Sequence, residues 1–108
     1  MFTINGEHWQ VKLCSAHHPM LIRSDGSLSV GACDDASKTI YLNGNLRGDF
    51  LKKVLCHELT HAAMFSYNIY LTLEQEELLA ELICTYGEEI ITVTNTLFYK
   101  LKERLAAM

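Results

Sequence analysis

Apolar residues recur with two different periods along this chain, one in each half. Over His8–Leu13, Trp9, Val11 and Leu13 alternate with polar neighbours, the pattern of a strand with one buried face. His17-His18-Pro19 interrupts it, and Ser24-Asp25-Gly26 reads as a turn. Leu28–Ala32 follows as a second strand, and Asp34-Asp35-Ala36-Ser37 connects it to Lys38-Thr39-Ile40-Tyr41-Leu42, the richest β-forming stretch in the chain. After Asn43-Gly44-Asn45 the period lengthens to that of a helix. Asp49 is the expected N-cap of a helix over Phe50–Tyr67, which contains neither Gly nor Pro. Thr72-x-x-Gln75 has the form of a capping box opening a second helix from Leu73 to about Tyr86. Gly87 is expected to end or kink that helix, and Glu88–Arg104 forms a third. The expectation is an α+β domain: a small antiparallel N-terminal sheet followed by helices.

The first of these helices carries His57-Glu58-Leu59-Thr60-His61. Residues four apart on a helix lie one above the other, so both imidazoles can reach one metal ion. Glu58, beside the first histidine, can aim its carboxylate at a metal-bound water without being a ligand. Zinc held in this way lowers the pKa of that water from about 16 to about 7, and a neighbouring carboxylate takes up the proton. The flanks Val54-Leu55-Cys56 and Ala62-Ala63-Met64-Phe65 are those of a buried helix, where two unpaired histidines are costly.

Catalytic zinc ordinarily has three protein ligands, so a third is sought on the next helix. There, Leu78, Leu79, Leu82, Ile83 and Tyr86 form a broad apolar face, and Glu74, Glu81, Thr85 and Glu88 a polar one. Glu77 sits at the edge between them, flanked by Leu73, Ala80 and Cys84, small enough in part to let the two helices approach closely. It is the acid best placed to face inward. Glu81, one turn on, is the alternative ligand, or a carboxylate that orients a ligating histidine from behind.

These residues resemble those of a minimal gluzincin, close to the small ImmA/IrrE-like metallopeptidases of bacteria and phages. The likeness spans Ile4-Asn5-Gly6 to about Ile91. It includes Gly31-x-x-Asp34, Thr39-Ile40-Tyr41-Leu42, Leu55-Cys56-His57-Glu58-Leu59-Thr60-His61-Ala62 and Glu77-x-Leu79-Ala80. The resemblance implies a zincin-like fold, zinc bound by His57, His61 and Glu77, and Glu58 as general base of peptide hydrolysis. It also implies an edge strand beside the active-site helix, here Thr39, Ile40, Tyr41 and Leu42, which an extended peptide joins by β-augmentation. Many such relatives carry extra N-terminal helices or fused repressor-type domains, and neither is expected in residues 1–108.

Composition narrows the remaining classes. At 108 residues the chain is one domain, 1–108, with a single modest core. Nine basic against 13 acidic residues leave no stripe of cations for phosphates, which argues against nucleic acid. No run is long and apolar enough to span a bilayer, and the first seven residues lack the features of a signal peptide, so a cytoplasmic protein is expected. The four cysteines then read as reduced thiols; Cys14-x-x-His17 has ligand spacing, with Cys33 as a partner, but no second close pair completes a structural zinc site.

The expectation is therefore a Zn2+-dependent endopeptidase acting on a peptide or protein. The alternative is a metal-stabilised binding protein that captures a partner strand without turnover. His17, His18, Tyr41, Tyr67, Tyr70 and Tyr86 are the available oxyanion donors, though Tyr86 reads as core and the paired histidines as surface loop. Phe98, Tyr99 and Leu101 lie in a terminal segment expected to fold over the cleft.

Overall fold

The structure, a computed structural model, describes residues 1–108. Four strands and two long helices make it α+β: β1 (Phe2–Ile4), β2 (Glu7–Cys14), β3 (Gly31–Asp34), β4 (Thr39–Asn43), α1 (Gly48–Ser66) and α2 (Leu73–Ala106), with a short 3-10 turn at Pro19–Leu21. The sheet order is β1-β2-β4-β3. β1 and β2 form an antiparallel hairpin around Asn5-Gly6, whose positive φ angles of 50° and 77° are those of a tight primed turn.

The sheet is mixed, where an all-antiparallel one was expected. β4 pairs parallel with β2, Val11 beside Ile40 and Leu13 beside Leu42, and antiparallel with β3. The physical reason lies in β4 itself. Thr39, Ile40 and Leu42 are all buried, a pattern that suits an interior strand covered on both faces. The chain therefore carries β3 to the outside edge and returns β4 between it and β2.

The core gathers Trp9, Ile40, Leu42 and Leu46 from the sheet side against Val54 and Ala62 of α1. Trp9 Nε1 donates to Ser66 Oγ at 2.8 Å, and Asn5 Nδ2 donates to the Ser66 carbonyl at 3.0 Å, tying the N-terminal hairpin to the end of α1. Of the three apolar residues alternating along β2 only Trp9 is buried; Val11 and Leu13 are exposed.

The helices also depart from expectation in detail. α1 starts at Gly48 without a side-chain cap, and Asp49 lies in its first turn, where its charge still complements the helix dipole. The Thr72–Gln75 capping box is formed in both directions. Gly87 does not end α2, which runs unbroken for 34 residues. A glycine without positive φ costs a helix only about 1 kcal/mol, less than the surrounding turns supply. The segment with Phe98, Tyr99 and Leu101 therefore continues α2 as exposed helix and does not line the cleft, and Tyr86 is exposed rather than core. No helix is long and apolar enough to cross a membrane.

Candidate metal centre

α1 and α2 pack side by side, and the small Ala80, the one buried residue of α2, lets them approach. Cys56 Sγ of α1 and Cys84 Sγ of α2 lie 2.7 Å apart one turn further along, and all four cysteines are free. This approach carries the first turns of α2 over the His57–His61 pair. His57 Nε2 and His61 Nε2 face each other at 3.2 Å. The Glu77 carboxylate closes the triangle, Oε2 at 3.1 Å from His57 Nε2 and Oε1 at 3.2 Å from His61 Nε2. Among His, Cys, Asp and Glu side chains, these three form the group able to hold a metal ion.

The donor set fits such an ion. A tetrahedral zinc about 2.0–2.1 Å from each nitrogen and oxygen ligand holds those ligands about 3.3 Å apart, close to the separations found here. His61 is fixed from behind: its Nδ1–H donates to Glu76 Oε1 at 2.6 Å, which leaves the Nε2 lone pair directed at His57 and Glu77. Glu76 was not singled out in the sequence. Its signal was its position one residue before Glu77, about 100° round the helix, where it can reach the far side of a ring whose near side Glu77 meets. Glu81 does not join the cluster. Its carboxylate accepts from Thr85 Oγ1 at 3.0 Å and Lys53 Nζ at 3.4 Å, and these bonds hold its pKa below the ordinary glutamate value.

Glu58 points from α1 toward β3 and is 7% exposed. Gly31, the first residue of β3, makes this possible. A Cβ there would meet Val54 Cγ1 at 2.9 Å and Glu58 Cγ at 3.1 Å, so a larger residue would force Val54 aside and crowd the Glu58 side chain. Burial pushes the Glu58 pKa above the usual glutamate range; the nearby His61 and His57 oppose the rise and Glu77 adds to it. Cys33, also on β3, is pushed up to about 12, mainly by burial and then by the charge of Glu58.

A cleft of about 480 Å³ opens over the cluster, bounded by Gly31 and the preceding Ser29 and Val30, by Phe50 and Val54 of α1, and by the three candidate ligands with Glu58. Two cations, Arg23 and Lys53, also line it. The histidines and tyrosines considered as oxyanion donors do not line it. His18 instead caps the 3-10 turn through Nδ1 and stacks on Tyr41 at 5.2 Å. Arg23 was missed because nothing near it in sequence marks a site; the hairpin around Gly26 folds it there.

Thr39, Ile40, Tyr41 and Leu42 cannot serve as the edge strand. β4 is hydrogen-bonded to β2 on one side and β3 on the other, so it has no free edge to offer a peptide. The edge beside the cleft is β3, Gly31–Asp34. Compared with protein-family models, curated proteins and solved structures, the chain has no significant match.

Proposed function

We propose that the chain is a zinc-dependent endopeptidase with a zincin-like arrangement of sheet and helices. One observation carries this reading: three donor atoms converge at ligand spacing, with a buried carboxylate from the neighbouring residue facing the same cleft. A structural site has no use for that fourth group.

His57, His61 and Glu77 hold the metal, and Glu76 keeps His61 in the tautomer that presents Nε2. Zinc bound there supplies Lewis acidity, polarising a carbonyl and acidifying a water. Glu58 accepts the proton of the attacking water and returns it to the departing amine nitrogen. Burial moves its pKa from the ordinary glutamate value toward neutrality, where a carboxyl group can both take up and give back a proton. The peptide lies along the outer edge of β3, extended, with alternate side chains toward Phe50 and Val30. Arg23 and Lys53 supply positive charge on the cleft wall for the developing oxyanion or for a carboxylate of the substrate.

The test compares wild type with Glu58→Gln for bound zinc and for cleavage of a defined peptide mixture read by mass spectrometry. Expected is about one zinc per chain in both, with turnover reduced about 10²–10⁴-fold in the variant. A zinc-loaded wild type that cleaves nothing, or undiminished cleavage by Glu58→Gln, overturns the peptidase; the former leaves a protein that captures a strand without cutting it.

A further inference from the structure

The far half of α2 is a helix with an apolar face and nothing against it. Hydrogen bonds and ion pairs between the two helices end at Lys52–Glu88, and every residue from Glu88 to Met108 is exposed. The molecule is drawn out accordingly, 61 Å along its long axis against 29 and 28 Å across. Nine large apolar side chains share one side of α2 from Ile83 to Leu105, each 42–67% exposed, with Ile90, Ile91, Val93, Leu97, Phe98, Leu101 and Leu105 beyond the contact with α1.

Their spacing is that of a helix–helix seam. Leu79, Ile83, Tyr86, Ile90, Val93 and Leu97 follow one another at intervals of four and three, the heptad pattern of paired helices. At 3.6 residues per turn, Ile83, Ile90, Leu97 and Leu101 fall within about 40° of each other. Ile91 and Phe98 extend the stripe that begins with Glu77 and Cys84, at intervals of seven. It faces α1 at its start and outruns it here.

We propose that a second copy of this chain covers the face, the two α2 helices pairing antiparallel about a two-fold axis between Thr94 and Asn95. In that alignment residue i meets the residue whose number completes a sum of 189. Two independent complementarities appear at once. Glu89 meets Lys100 of the other copy on one flank of the seam, and Ile91 meets Phe98 on the other, each pair occurring twice by symmetry. Glu89 and Lys100 share a helix face because eleven residues make almost a whole number of turns. The notch of about 540 Å³ that Gly87 leaves between Ile83, Ile90 and Ile91 lies opposite Leu101, an apolar knob for an apolar hole. A parallel pair places the two Glu89–Lys100 flanks on opposite sides of the seam, so that this contact is lost. Covering the nine side chains on both copies removes on the order of 1,500 Å², within the roughly 1,200–2,000 Å² of stable interfaces.

Sedimentation equilibrium of the whole chain tests this. The wild type is expected at twice 12.3 kDa. Ile90→Asp/Leu97→Asp is expected at the single-chain mass with its far-UV helical signal kept, since both residues are exposed. Lys100→Glu should weaken the dimer about tenfold, and Glu89→Lys in the same chain should restore it. That rescue is specific to antiparallel pairing and is readable even if the double-aspartate variant loses its fold. The proposal is overturned by a single-chain mass for wild type at about 100 µM. It is equally overturned by a dimer indifferent to the aspartates, by charge reversal without rescue, or by association seen only with phosphatidylcholine–phosphatidylglycerol vesicles.

Discussion

His61 shows how much of this site depends on one residue outside the motif. Its ring is pinned between Glu76 on Nδ1 and the His57–Glu77 pair on Nε2, so the proton is held on the side away from the candidate ion. Glu76→Gln keeps the size of the side chain but can present its amide NH₂ to the ring, which no longer favours that tautomer. The expected result is a zinc affinity lowered about 10–100-fold, measured by competition with a chromophoric chelator. Glu81→Gln should leave affinity unchanged, because Glu81 is committed to Lys53 and Thr85; equal losses in the two variants would sink this account. The two histidines and the glutamate between them were legible at this scale, because helical spacing is a property of sequence; Glu77 was favoured there over Glu81, and the packing of α2 on α1 is what brings it to the histidines. Glu76 and Arg23 were not. Their roles depend on the approach of one element to another, and no local pattern encodes that distance.

At the scale of elements, the start of α2 does two jobs. The capping box ends the helix cleanly at Thr72, and the fourth and fifth residues after it are Glu76 and Glu77. Any fraying there moves both carboxylates. Thr72→Ala should therefore cost about 1 kcal/mol in denaturant unfolding and also weaken zinc several-fold, although Thr72 touches no ligand. Unaltered zinc affinity alongside the stability loss would show that the first turn holds without its cap. This box was readable from Thr72-x-x-Gln75, as were α1 and three of the four strands, with shifted ends, whereas α2 reads in the sequence as two helices divided at Gly87. β1 went unread although Asn5-Gly6, a strong hairpin signal, stood beside it, since three residues are too few to show a period. The parallel pairing of β2 with β4 was also unread: consecutive strands with turn-like links suggest hairpins, and only the burial of β4 on both faces reveals its interior place.

For the whole molecule, the question is how far the fold would depend on an ion held at the candidate site. The core of Trp9, Ile40, Leu42, Leu46, Val54 and Ala62 is built without the candidate ligands, so the chain should stay folded when chelated. It is a small core, however, and zinc at a hundred times its dissociation constant adds about 2.7 kcal/mol, which for a domain of this size raises Tm by about 10 °C. Thermal unfolding followed by circular dichroism with zinc and with a chelator checks this. Loss of the helical signal at room temperature on chelation would mean that the metal builds the fold rather than equips it. Taken alone, the sequence determined the α+β class, the helix bearing His57, Glu58 and His61, and the capped start of the next helix. Each of these follows from periodicity and capping, which act over a few residues. Only the tertiary structure decided that β3 and not β4 is the free edge, that Glu76 backs His61, that Arg23 reaches the cleft, and that α2 runs past Gly87 into open solvent. Those outcomes turn on which element lies against which, and residues distant along the chain settle that together through the surfaces they can bury.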